Sequence, residues 1–120
     1  MTTITKAHIA EVKSLAKPPQ LVINSLEAVF LLLGYSFAES GNFDLTKKLL
    51  AKTPEIILSE LNEFQAGKCD PASVTRAKIL LTDVTVEKVK EANFAASHFV
   101  NWALKALEEC EAAGKLQNTT

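Results

Sequence analysis

Two histidines, two cysteines, one acid inside an apolar run and several lysine groups are the residues of this chain whose chemistry invites a site. Ser97 and His98 are neighbours in sequence, but on a helix adjacent side chains point about 100° apart, so a nucleophile–base dyad does not form there. His8 and His98 meet only if the fold brings their helices together, and no third ligand is evident, so no metal site is expected. Cys69 and Cys110 have neither the spacing of a metal site nor a disulfide framework, which makes a reducing intracellular compartment the default. The sequence holds no glycine-rich phosphate loop, no His-Glu-x-x-His and no nucleophile elbow. No catalytic residue and no cofactor are therefore expected, and the chain does not read as an enzyme.

What remains is binding chemistry. Glu27 is the one charge in the apolar run from Gln20 to Leu33. Buried without a partner it would be costly, so it is either solvated or paired. The exposed alternative makes it a contact residue on a docking face. Cations gather as Lys47-Lys48 with Lys52, Lys68, Arg76 with Lys78, and Lys88 with Lys90. Each group is either a solvated helix face or part of one electropositive patch. The net charge of −1 argues against nucleic acid, and the apolar runs fall short of the ~18 residues of a membrane span, so neither partner is expected. An acidic polymer can be held only by a local patch.

The elements that must position these residues are all helical. Hydrophobic residues make up 48% and charged residues 22% of the 120, values of a single domain with one modest core. Ile4 to Leu15 reads as the end of a helix with no cap, covering about Thr5 to Ala16. Pro18-Pro19 then fixes φ twice and removes two donors, so the helix breaks and restarts with Pro19 near its first turn. The second helix runs to Leu33 and stops at Gly34. Residues 35–42 form a loop, with Asn42 or Asp44 capping a short helix from Leu45 to Lys52. Thr53-Pro54-Glu55 and Asp70-Pro71 are helix starts. Thr85 opens a last helix that can run unbroken to Ala113, with Val89, Ala92, Ala96, Phe99, Val100, Ala103, Leu107 and Cys110 as its inner stripe. Gly114 and the polar tail then end the order. Ala92, Ala95, Ala96 and Ala103 let another helix approach closely, and the apolar second helix is its natural partner. Trp102 is expected to anchor the last helix on the rest. The outline is an antiparallel helical hairpin capped by a compact bundle of short helices.

The segment Glu11-Val12-Lys13-Ser14-Leu15-Ala16, the proline pair, Val22, Leu26-Glu27 and Leu31 to Gly34 resembles the start of the microtubule-binding domain of dynein heavy chains. Val89 to Ala96, followed by Val100-Asn101-Trp102-Ala103-Leu104-Lys105-Ala106-Leu107, is similar to that family's last globular helix, which runs into the returning stalk helix. The resemblance covers roughly residues 4 to 113. It implies that 1–17 is the distal end of the first stalk helix and 18–100 the globular microtubule-binding tip. Residues 101–120 would then continue into the returning stalk helix and a polar tail.

By that resemblance the partner is tubulin in the microtubule, and affinity is controlled by the register of the two stalk helices, with Pro18 and Pro19 as the stalk hinge. The implied contact residues are Lys17, Gln20, Ile23, Asn24, Glu27, Lys47, Lys48, Arg76, Lys78 and Lys90. The parent motor would be an ATPase in the cytoplasm and cytoskeleton or, in the axonemal branch, in a cilium or flagellum. In that branch a leucine-rich-repeat dynein light chain is a further partner. Two positions depart from the family pattern: Ile23 stands where a lysine faces the microtubule, and Glu91 where an arginine precedes the small-residue run. The alternative is a helical adaptor tip for a protein other than tubulin, supported by an exposed apolar patch at Leu21, Val22 and Ile23.

Overall fold

Caps and prolines set where the helices start. The computed structural model describes residues 4–15, 18–35, 43–51 and 54–118; the side chains of 43–45, 47 and 114–118 are outside what it describes. Helix α1 (Lys6–Lys13) opens on Thr5 with a reciprocal capping box: the Thr5 N–H donates to His8 Nδ1 at 3.1 Å, and the His8 N–H donates to Thr5 Oγ1 at 3.4 Å. The expectation of an uncapped helix end is corrected here, because the His8 ring takes the acceptor role usually played by Glu or Gln.

The break at the proline pair is where the sequence requires it. Helix α1 ends on Ser14, and α2 (Gln20–Leu32) restarts after Pro19, whose ψ of 154° is extended. At the far end of α2, Gly34 adopts φ +103°, the Gly34 N–H donates to the Leu31 carbonyl and the Tyr35 N–H donates to the Phe30 carbonyl. This is a Schellman motif, and its apolar contact is the edge-on Phe30–Tyr35 ring pair at 5.6 Å.

The short helices follow as α3 (Phe43–Leu50), α4 (Pro54–Asn62), a 3-10 turn at Ala66–Lys68, and α5 (Pro71–Leu80). The proposed caps Asn42 and Thr53, and most of the loop before α3, lie outside the described residues. The last helix is two helices. Helix α6 (Val86–Ala92) is capped by Thr85 and ends at Asn93, whose φ of −162° and ψ of 120° are extended. Asn93 Oδ1 then accepts from the Ala96 N–H at 2.9 Å and caps α7 (Phe94–Asn118). The break leaves Ala92 exposed, off the stripe expected of it. Helix α7 continues through Gly114, where an end was expected.

Helix α2 packs chiefly on α5 and α7, and α6 folds back on α7. Leu26, Ala28, Val29, Ala95, Ala96, Phe99, Val100 and Ala103 are all fully buried. Ala95, Ala96 and Ala103 are buried in α7, which packs on α2, and each large side chain in this set contributes roughly 1.5–3 kcal/mol by burial. Trp102 meets Phe64 edge-on at 5.1 Å and joins α7 to the segment after α4. Helix α1 lies against α7, α4 and α3. The described residues contain no strand, and the fold is all-α.

Candidate binding surface

Helix α2 divides sharply along its length. Pro19 and Gln20 are exposed, Pro18, Leu21, Ile23 and Asn24 are half-buried, and every residue from Ser25 to Leu32 is buried. The accessible part of this helix is thus its first turn and the proline break before it. Gln20 Nε2 donates to Asn24 Oδ1 at 2.9 Å, one helical turn on, and so orders the polar edge of that turn. Lys17, expected beside it, lies outside the described residues.

Glu27 does not belong to this face. Its side chain is fully buried, and Oε2 lies 3.8 Å from the Arg76 guanidinium of α5, which is itself one-third exposed. Its expected role as a surface contact is corrected, because α5 covers this side of α2 and supplies the countercharge. Burial of a lone carboxylate would be costly, and the arginine is what makes the position tolerable. The same pair removes Arg76 from the set of uncommitted cations.

The other expected cations are spread over several helices. Lys78, also on α5, forms an ion pair with Glu111 of α7 at 2.8 Å. Lys90, on α6, sits 5.5 Å from the centre of the Phe94 ring. Lys48 is exposed on α3, and the Lys47 side chain is outside the description. Glu91 is exposed on α6, so a negative charge is presented at the position where the family pattern has an arginine. The apolar patch expected at Leu21, Val22 and Ile23 is also corrected: Val22 is fully buried in the core, because successive residues of a helix cannot share one face. Among the described residues the large exposed apolar side chains are instead Ile79 (67%), Phe94 (56%) and Ile56 (49%), on three different helices.

Further side-chain pairings among the described residues also join positions far apart in sequence. The His8 and His98 rings stack at 4.1 Å with 16° between their planes. Burial, followed by the charges of His8 and Lys90, holds His98 below its ordinary value. Cys69 and Cys110, 41 positions apart, touch through their sulfurs at 2.7 Å. Lys6 of α1 bonds to Glu55 of α4, and that hydrogen bond is the main reason the Glu55 carboxyl titrates below its usual range. Of these, only the histidine pair was foreseeable from sequence, as a contact contingent on the fold. Nothing in the spacing of Glu27 and Arg76, or of the cysteines, signals that they meet.

No protein-family model matches the chain. It is 33% identical over 106 residues to a cytoplasmic dynein heavy chain of Dictyostelium discoideum, across 86% of its own length. It is 30% identical over 104 residues, 85% of its length, to the Dynein-1-beta heavy chain of the flagellar inner arm I1 complex of Chlamydomonas reinhardtii. In both cases the chain spans about 2% of the length of the relative. Over most of its residues the chain is similar to a short region of dynein heavy chains. No described helix is long and apolar enough to cross a membrane.

Proposed function

We propose that this dynein-related chain is the stalk tip of a dynein heavy chain and binds the microtubule through the first turn of α2 and the proline break before it. One observation carries the reading: α2 is held in the core from Ser25 onward and offers only its N-terminal turn, immediately after Pro18-Pro19 separates it from α1. A helix fixed at one end and presented at the other is suited to docking in a groove. The break lets that helix be repositioned relative to α1 without bending a continuous rod. The cytoplasmic and flagellar relatives are consistent with a place on the cytoskeleton or in an axoneme. ATP hydrolysis would belong to other parts of such a motor and reach this domain mechanically, through the register of the stalk helices.

The face is expected to bind weakly. Gln20, Ile23 and Asn24 carry no charge, Arg76 and Lys78 are committed to Glu27 and Glu111, and Glu91 adds an acid. Tubulin surfaces are acidic, so a cation at the centre of this turn raises both encounter rate and affinity. The test is co-sedimentation with microtubules across a salt series, with Ile23→Lys beside the unaltered chain. Binding that falls with salt, and is stronger by roughly fivefold in the variant (about 1 kcal/mol), is the expected result. Absence of binding by either protein at low salt would remove the microtubule reading and favour a partner protein, including a light chain, at the exposed Ile79 or Phe94.

A further inference from the structure

Cys69 follows the 3-10 turn, and Cys110 lies in the far half of α7. Their sulfurs are in contact, and both are free thiols. They open onto one cavity of about 240 Å³, whose other lining residues include Ala66, Gly67, Val74 and Ala113. Cys69 is half-buried and Cys110 nearly fully buried, so the pair has an accessible member and a sheltered one. The neighbouring side chains are small, which leaves room for a linear thiol compound to reach the outer sulfur. We propose that Cys69 and Cys110 form a thiol–disulfide modification site, oxidised by low-molecular-weight disulfides of the glutathione class, which staples the 3-10 turn to α7.

The exchange balances without any other reactant. The Cys69 thiolate attacks one sulfur of glutathione disulfide, breaks its S–S bond and expels one glutathione thiolate, leaving a mixed disulfide. The Cys110 thiolate then attacks Cys69 Sγ and expels the second glutathione. The two cysteines lose two electrons and two protons in total; one glutathione disulfide is reduced to two glutathione thiols. Burial, the Cys69 sulfur and the nearby Glu109 and Glu111 push the Cys110 thiol up to about 12. Cys110 is therefore the resolving and slower thiol, and ring closure accelerates with pH by up to about tenfold per unit while the thiol stays protonated.

The inference is independent of what the first turn of α2 binds, and its test contains no microtubules. The reduced chain is incubated with glutathione disulfide and followed by intact mass, thiol alkylation and peptide mapping. The expected product is a monomer lighter by two hydrogens, linked between Cys69 and Cys110 and reversed by dithiothreitol. Closing a loop of this length should raise the thermal midpoint by roughly 10 °C. Cys110→Ser should stop at one glutathione on Cys69, whereas Cys69→Ser should leave Cys110 largely unmodified. Two glutathiones on the unaltered chain, disulfide-linked dimers, or both thiols still alkylatable at equilibrium would each overturn the assignment.

Discussion

Replacing Arg76 with methionine removes the guanidinium that faces Glu27 while keeping most of the stem that packs beside it. The carboxylate is fully buried, and the two charges are 3.8 Å apart. At an effective dielectric of about 20, unit charges at that distance attract by about 4 kcal/mol. One-third of the arginine side chain is exposed, so water can enter and recover part of that interaction once the cation is gone. Taking about half as the net loss gives ~2 kcal/mol, below the ~3–5 kcal/mol seen when a fully buried pair is broken. With a urea dependence of about 2 kcal/mol per molar, the unfolding midpoint should fall by roughly 1 M at unchanged slope. Adding Glu27→Gln should restore part of the loss, because the second change removes the charge that the arginine offset. An Arg76→Met midpoint equal to that of the unaltered chain would refute this account. So would a double variant as unstable as the sum of its singles. Under the proposed function, Glu27→Gln should leave microtubule binding per folded molecule unchanged, which distinguishes an internal ion pair from a surface contact.

Acid should act in two separate windows. His98 is held below its ordinary 6.5, first by burial and then by His8 and Lys90, so the unfolded chain takes up that proton first. Its contribution is present above pH 6.5, is lost as the pH falls through the lower folded value, and then levels off. Glu55, held below 4.5 mainly by its bond to Lys6, contributes above that value and loses its contribution as the pH falls through the depressed folded one. Thermal midpoints should therefore decline first between neutrality and mild acid, and His8→Asn should reduce that step while the part due to burial remains. Asn93→Ala removes the side-chain acceptor that starts α7 and should cost about 1 kcal/mol in a denaturant titration; no change would mean that the α6–α7 break is set by packing and not by the cap.

The helical outline was legible because it rests on local signals. Pro18-Pro19, Gly34, Asp70-Pro71 and Thr85 each act on the backbone within a turn or so, and each marks the boundary it announces. Asn93 escaped notice because asparagine is tolerated inside a helix. Only the bend of α6 back onto α7 makes its side chain a cap. The role of Glu27 was less legible for a related reason. A single charge in an apolar helix reads the same whether it is solvated or paired, and the arginine that decides the matter lies on another helix, 49 positions later. The cysteines are a stronger case, since they lie 41 positions apart and the chain between them must fold before their sulfurs touch.

The packing also limits how α1 can influence the accessible turn of α2, if the chain works as a stalk tip. Between the two helices the covalent path is the proline pair, which transmits torsion poorly because it carries neither of the two helix hydrogen bonds that would stiffen it. The strong packing neighbours of α1 are α7, α4 and α3, while those of α2 are α5, α7, α3 and α6. Helices α7 and α3 are therefore the elements through which a displacement of α1 reaches α2. On α7 the stacked His8–His98 pair is one point where α1 meets it. A shift of α1 along α7 would separate the two stacked rings. His98 consequently stands where proton uptake and helix register would be coupled, and mild acid would favour the register in which the two rings are apart.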